Sequence, residues 1–232
     1  MLRRKFITAI STVSLLSVAL ASPAASLQLG TSDTSAPEAS KTVSFNPEVS
    51  YSSDIVTGSA TAPVTIIEYA SLTCPHCANF HTKVYGELEK TLIDTGKVRF
   101  IYRHFPLDQI AAVASVAVSC TPKESQGKVV SALFTSLLSD KPWPTSGTFE
   151  VGAGAVFSEA LGEAYNFDTL KTCAENEAQF REAVKPRFDA ESANVITGTP
   201  FFFINGVPYM GPRTVDEFSK AVDAAIAAKK TQ

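Results

Sequence analysis

The chain has 232 residues, of which 45% are hydrophobic and 19% are charged, and its formal net charge is −3. A chain of this length and composition can bury the core of one elaborated domain or of two lobes. The modest acidity gives no reason to expect nucleic acid or an anionic membrane as a partner. Only four cysteines and three histidines are present, so each can be considered by its position.

The first 21 residues have the pattern of a secretory signal peptide. A basic start at residues 3–5 is followed by an apolar stretch to residue 20, and Ala19-Leu20-Ala21 offers a small-x-small cleavage site. The apolar stretch is short for a membrane span, so an uncleaved anchor is the less favoured alternative. Residues 22–47, rich in Ser, Ala, Thr and Pro, are predicted to form a flexible leader. We therefore expect an exported protein in an oxidising compartment, where disulfides persist.

Cys74-Pro75-His76-Cys77 follows an apolar, β-branched run at residues 64–70 and opens a predicted helix. A Cys-x-x-Cys pair at a strand-to-helix junction is typical of thioredoxin-like redox motifs. Pro75 suits the first helical position, because its missing N–H has no partner there anyway. Cys74 then lies at the helix N-terminus, where free N–H groups and the helix dipole stabilise a thiolate. The motif predicts a thiol–disulfide exchange enzyme.

Other uses of a Cys-x-x-Cys pair are haem attachment, zinc binding and a structural disulfide. Haem attachment requires a histidine directly after the second cysteine, where this chain has Ala78. Zinc usually requires a second ligand pair at similar spacing, and Cys120 and Cys173 stand alone. We therefore predict neither a metal site nor a cofactor.

The predicted helix after Cys74 has one apolar face, formed by residues 77, 80, 84, 88 and 92, and it ends at Gly96. Cys77 belongs to this face and Cys74 does not. One sulfur should therefore be open to attack while the other is sheltered.

A helical block is predicted to interrupt an α/β framework. Short strands are expected near residues 54–58, 64–70 and 98–105, and a strand at 201–204 leads into an Asn205-Gly206 hairpin turn. The block between them has helical pieces at 110–120, 126–138, 155–165 and 167–190, with a break at Pro142-Trp143-Pro144. It is too long for one crossover and is interpreted as an inserted helical domain. A last helix is predicted for 215–228.

Glu68 lies in the middle of an otherwise apolar strand. It could be an edge carboxylate paired with Arg99 or Arg103. The favoured interpretation is a buried acid near Cys77, with a raised pKa, that relays the proton of the second cysteine.

The three histidines differ in their expected roles. His76 lies between the two active-site cysteines, where it can donate a hydrogen bond to the Cys74 thiolate or act as a nearby cation. His81, one turn beyond Cys77, is expected to be solvated. His104, at the end of a strand, is expected to be packed or hydrogen-bonded.

Cys120 and Cys173 both fall in the helical block. An even number of cysteines in an exported protein suggests pairing, so a structural disulfide is favoured. The alternative is two buried free thiols that behave as small hydrophobic residues.

The order of these elements, the Cys74–Cys77 motif with Ala78-Asn79-Phe80 after it, and Gly198-Thr199-Pro200 before the last strands resemble the DsbA family of periplasmic thiol oxidoreductases. The resemblance runs from about Asp54 to the C-terminus. It implies an α/β, thioredoxin-like fold with an inserted helical domain. The fold would comprise residues 48–107 and 195–232, and the insertion residues 108–194.

The resemblance also implies a mechanism. Pro200 would be a cis-proline beside the active site, and the backbone of Thr199 would bind a substrate strand. The protein would introduce disulfides into unfolded, cysteine-containing exported proteins in the periplasm. A quinone-linked, DsbB-like membrane partner would reoxidise it.

Three alternatives remain at this point. Strongly oxidising members of the family often have Val before the cis-proline, so Thr199 gives weight to an isomerase or reductase on the same scaffold. A copper(I) or zinc carrier could use Cys74 and Cys77. A peptide-binding chaperone could carry a vestigial cysteine pair.

Overall fold

A computed structural model describes residues 45–144 and 149–230. The predicted signal peptide, residues 1–21, and most of the predicted leader, residues 22–47, lie outside the described residues. Residues Thr42–Gln232 form one compact unit. Its division into a thioredoxin-like lobe and an inserted domain stays a prediction.

A five-stranded mixed sheet forms the centre of this unit. Its strands are Ile55–Thr57 (β1), Val64–Ala70 (β2), Val98–His104 (β3), Phe201–Ile204 (β4) and Val207–Tyr209 (β5). Their spatial order is β1-β3-β2-β4-β5, with β2 and β3 parallel and the other neighbours antiparallel. The two central strands are almost entirely buried, as expected for β-branched runs covered on both faces.

Seven helices accompany the sheet in the described part of the chain. Helix α1 is continuous through four segments that are alternately α- and π-helical: Pro75–Phe80, His81–Tyr85, Gly86–Leu88 and Glu89–Ile93. The others are Gln109–Ser119 (α2), Lys123–Leu137 (α3), Phe149–Leu161 (α4), Phe167–Ala174 (α5), Glu177–Ser192 (α6) and Val215–Lys230 (α7). A 3₁₀ turn spans Glu163–Tyr165. The predicted α/β, thioredoxin-like class is confirmed.

The helical block differs from its prediction at two points, and the first is that the piece predicted for 155–165 is a helix over Phe149–Leu161 followed by a 3₁₀ turn. The second lies at residues 167–190. A single helix was expected over residues 167–190, but α5 ends at Ala174 and α6 begins at Glu177. The Asn176 side chain accepts hydrogen bonds from the backbone N–H groups of Ala178 and Gln179, which caps the second helix. The single-helix prediction was therefore wrong, because an N-cap inside the apparent run starts a new helix.

The hairpin between β4 and β5 is fixed by the backbone conformation of its two turn residues. Strands β4 and β5 pair through a turn in which Asn205 and Gly206 have positive φ values of 46° and 78°. Two successive positive φ angles are the requirement of a type I′ hairpin, which Asn-Gly satisfies best. A disulfide joins Cys120, just after α2, to Cys173 in α5.

The sheet separates two apolar clusters. Side chains alternate along β2, so Ile66 and Ala70 pack on the same side as Cys77 of α1, whereas Ile67 and Tyr69 pack on the side of α6. None of the helices in the described part of the chain is both long enough and apolar enough to cross a membrane.

Candidate active site

Cys74 is the N-cap of α1, with extended backbone angles of −85° and 115°. The proline at the next position starts the helix, as predicted from its missing N–H. Cys74 Sγ lies 3.4 Å from the backbone N of Cys77 and accepts its hydrogen bond. The sulfur therefore takes the place that a serine or aspartate oxygen occupies at an ordinary helix start.

The Thr199-Pro200 peptide bond is cis, and it lies against this sulfur. The Cys74 thiol donates to the carbonyl oxygen of Thr199, with 3.4 Å between the heavy atoms. Pro200 is buried and begins the approach to β4, whereas Thr199 is half-buried. The fold thus brings together the two segments that the resemblance named, although they are 125 positions apart in sequence.

The two cysteines have opposite electrostatic environments. The pKa of Cys74 is lowered to about 5, first by its hydrogen bond with the Cys77 side chain. The Thr199 side chain and the backbone N–H groups of Cys77 and His76 act in the same direction, while burial opposes them. The pKa of Cys77 is raised, first by burial and then by the hydrogen bond to Cys74 and the charge of Glu68.

The exposure of the two sulfurs differs less than the sequence suggested. Cys74 retains 5% exposure and Cys77 none, so Cys74 is not the open residue that was expected. A cavity of about 310 Å³ lies beside the cis-proline and gives access to this region. Its lining includes His76, Thr199, Pro200, Tyr209, Met210 and Arg213.

Glu68 is fully buried and faces α1 from the centre of the sheet. Its Oε2 lies 2.7 Å from Nε2 of His81, whose side chain is only 5% exposed. The prediction of a solvated His81 was therefore wrong. His81 follows Cys77 by four residues, so the helical period puts it on the same buried face.

Neither arginine proposed as a partner pairs with Glu68. In the register of β2 and β3, Glu68 lies opposite Tyr102, so Arg99 and Arg103 alternate to the other face of the sheet. Arg103 binds Asp54 instead, with Nε 2.7 Å from Oδ1, and this ion pair is buried. The paired-arginine alternative for Glu68 was wrong for this reason.

Among the described residues, no three His, Cys, Asp or Glu side chains cluster in a way that could hold a metal ion. His104 is fully buried at the end of β3, and burial lowers its pKa to about 3. It is thus a packed, neutral histidine, as expected.

A family model described as "Thioredoxin" matches residues 50–224. The chain belongs to the thioredoxin family. Within it the chain is DsbA-like. The crystal structure of α-DsbA1 from Wolbachia pipientis superposes with a TM-score of 0.63 at 29% identity, over 75% of this chain and 92% of that one. The structure of oxidised BdbD from Bacillus subtilis, at 22% identity and a TM-score of 0.65, is similar in fold.

Two curated relatives carry names that describe disulfide chemistry. A Rickettsia conorii protein described as a candidate protein-disulfide oxidoreductase is 30% identical over 183 residues, which is 76% of this chain. The match between the two proteins covers only 62% of that relative's length. Disulfide bond formation protein D of Bacillus subtilis is 25% identical over 75% of this chain and 78% of its own length.

Proposed function

We propose that this protein is a thiol:disulfide oxidoreductase that introduces disulfide bonds into exported proteins. The observation that carries the proposal is the placement of two neighbouring thiols: Cys74 Sγ caps the start of α1 beside the carbonyl of Thr199, whereas Cys77 is fully buried. A thiolate is stabilised at Cys74, whereas Cys77 is held as a thiol. A sulfur that is stable as a thiolate is a good leaving group, and its stability favours the reduced form of the enzyme. Such a pair transfers its disulfide to the thiols of another protein.

The first step uses the Cys74–Cys77 disulfide. A client thiolate attacks Sγ of Cys74 and forms a mixed disulfide, while the bond to Cys77 breaks and Cys77 leaves with the electron pair. Because Cys77 is buried, it is protonated before it can attack back. Glu68 is the acid proposed to supply this proton.

The second step completes the transfer of two electrons. Another cysteine of the client attacks the client sulfur of the mixed disulfide, and Cys74 leaves as a thiolate. Hydrogen-bond donors at the start of α1 stabilise the departing charge. The client gains a disulfide and the enzyme becomes the dithiol.

The cavity beside the cis-proline is proposed to hold the client segment. Thr199 and Pro200 would align an extended client strand past the sulfur, and His76 would contact the developing thiolate. Met210, which is 78% exposed, offers an apolar surface to a partly unfolded chain. The contact would be adaptable, as a catalyst with many clients requires.

The cellular setting is also part of the proposal. Residues 1–21 would direct export, and the periplasm would supply the oxidising compartment. Repeated turnover requires an oxidant for the dithiol, and a quinone-linked, DsbB-like membrane protein is proposed for that role. The Cys120–Cys173 bridge would be structural, since it lies outside the pair that reacts.

The test is the equilibrium of Cys74–Cys77 with glutathione, measured on protein without residues 1–21. A disulfide donor should have a potential well above that of thioredoxin, and its reduced form should resist denaturant better than its oxidised form. A potential near or below that of thioredoxin would refute the oxidase and favour a reductase or isomerase, which Thr199 also allows. The Cys120→Ala/Cys173→Ala protein is the matched control, because it retains only the proposed reactive pair.

A further inference from the structure

Two buried polar atoms of the Glu68–His81 pair have no hydrogen-bond partner among the described residues. They are Oε1 of Glu68 and Nδ1 of His81. The other atoms of the two groups, Oε2 and Nε2, bind each other at 2.7 Å. The pair therefore has one unpartnered end on the carboxylate and one on the imidazole. Unpartnered buried polar atoms are costly and rare in native proteins, and a catalytic role is one of the reasons for which they are retained.

His81 is held in this position by aromatic rings. Its imidazole stacks on Phe134 and Tyr85, with ring centroids 4.6 Å and 5.0 Å away, and meets the edges of Phe80 and Tyr102. His81 is the first residue of a π-helical segment of α1, and such segments are frequent at functional sites. The packing fixes the distance to Glu68 and prevents the ring from leaving.

A second cavity, of about 270 Å³, reaches His81. Polar and charged side chains line it, including Glu89, Lys128 and Ser131. Lys128 and Ser131 are exposed, so the cavity reaches the surface. It shares no lining residue with the cavity beside the cis-proline. Solvent can therefore approach His81 by a route separate from that of the client.

We propose that His81 releases or takes up a proton through this second cavity whenever Glu68 exchanges one with Cys77, so that Cys77 gains and loses its proton without opening the client site. The inference rests on the proposed oxidoreductase function and adds a proton-transfer residue to it. His81 acts through Glu68 and does not touch the reacting sulfurs.

The proton transfers balance as follows when the enzyme dithiol is reoxidised through a mixed disulfide on Cys74. His81, as imidazolium, releases its Nδ1 proton to the cavity. The Glu68 carboxylate takes the proton of Cys77 at Oε1. The Cys77 thiolate then attacks Sγ of Cys74, the enzyme disulfide forms, and the bound thiol leaves as a thiolate with the electron pair of the broken bond. The reverse order protonates Cys77 when a client is oxidised.

The proposed order keeps the net charge of the buried region constant. In this order the region contains a carboxylate, an imidazolium and a thiol before the step, and a carboxylic acid, a neutral imidazole and a disulfide after it. The sum is zero in both states, which avoids the large cost of an unpaired buried charge. The other titratable groups that face His81 are Tyr85 and Tyr102, both with pKa values raised by burial, and Glu89 and Lys128 in the cavity.

The experiment follows one chemical step. Reduced protein is mixed with glutathione disulfide, and the release of glutathione from the Cys74 mixed disulfide is followed by acid quench and mass spectrometry from pH 5 to 9. His81→Ala should slow this release about a hundredfold near neutral pH, the lower end of a general acid–base contribution. Added imidazole should restore the rate by entering the space left by the ring. Pyrazole, of the same size but a far weaker base, should not.

Further variants exclude a purely structural effect. Val84→Ala truncates a half-buried side chain on the same helix and should leave the release rate unchanged and insensitive to imidazole. His81→Gln retains a hydrogen-bond donor to Glu68 but cannot carry a proton, so it should be slow although folded. Should His81→Ala not fold, His81→Gln and the solvent isotope effect on the wild-type release give the answer.

The outcomes are distinct. Equal release rates for wild type and His81→Gln, or equal rescue by imidazole and pyrazole, would overturn the role of His81. Absence of a solvent isotope effect on the wild-type release would do the same. If wild type itself formed no mixed disulfide on Cys74, or never resolved it, the oxidoreductase proposal would fail instead.

Discussion

Lowering the pH from 7 to 5 should destabilise the reduced protein more than the oxidised protein. The reason is the Cys74 thiolate, whose folded pKa of about 5 lies below the ordinary thiol value of 9.0. A group with a lowered folded pKa contributes stability that is complete above the unfolded value and is lost as the pH falls through the folded value. The oxidised protein has no thiol at this position, so it lacks this contribution.

The size of the effect follows from the two pKa values. Each pKa unit corresponds to about 1.4 kcal/mol, so the thiolate contributes about 2.7 kcal/mol at pH 7, two units above the folded pKa. At pH 5, where the thiol is half protonated, about 0.4 kcal/mol remains. The difference between the two redox forms should therefore shrink by about 2 kcal/mol. Cys77 does not contribute in this range, because its raised pKa affects stability only above the ordinary thiol value.

Urea unfolding of both redox forms at pH 7, 6 and 5 measures this difference. The oxidised protein is the matched control, because it has the same sequence and lacks only the two thiols. Cys74→Ser in the reduced state should lose the pH-dependent excess, and thiolate absorbance should titrate near pH 5 in the wild type. A stability difference that stays constant from pH 7 to 5 would show that the folded protein does not stabilise the Cys74 thiolate.

Three further predictions concern stability. Replacing Cys120 and Cys173 by alanine should lower the free energy of urea unfolding by about 4 kcal/mol, because the bridge closes a loop of 53 residues; a loss below about 1 kcal/mol would contradict this. Asp54→Ala should cost about 3–5 kcal/mol because it leaves a buried guanidinium unpaired, whereas Asp223→Ala, in an exposed pair, should cost at most about 1 kcal/mol. His104→Leu should reduce the loss of stability below pH 6.5, because burial lowers the folded pKa of His104 and the unfolded chain therefore takes up the proton first; identical pH profiles of both proteins would disprove this.

The elements that the sequence predicts best are those specified by local chemistry. Apolar β-branched runs place β2 and β3, Asn205-Gly206 places the hairpin, and Pro75 places the start of α1. In each case the residues that fix the conformation are adjacent in the chain. For the same reason, the N-cap position of Cys74 can be predicted from the motif alone.

The environment of Glu68 shows where sequence reasoning stops. Whether an arginine of β3 can reach Glu68 depends on strand register, and a shift of one residue reverses which face each side chain occupies. The register here puts Tyr102 opposite Glu68. The burial of His81 could be read from its spacing to Cys77, but its partner comes from another element, so the pair itself requires the packed structure. Asn176 is a different case, since an N-cap signal inside the apparent helix was available.

One helix determines the asymmetry on which the proposed direction of electron transfer depends. Only two residues, Pro75 and His76, separate a sulfur that meets free backbone N–H groups from a sulfur inside the apolar core. The pKa of Cys74 is lowered first by the hydrogen bond with the Cys77 side chain and further by the backbone N–H groups at the helix start, whereas burial raises the pKa of Cys77. The oxidising power of the pair then depends on the difference between the pKa values of the two cysteines. Because burial raises the pKa of Cys77, a proton must reach this sulfur whenever the disulfide opens; in the proposed mechanism Glu68 supplies it, and His81 takes up another through a cavity that opens at the surface.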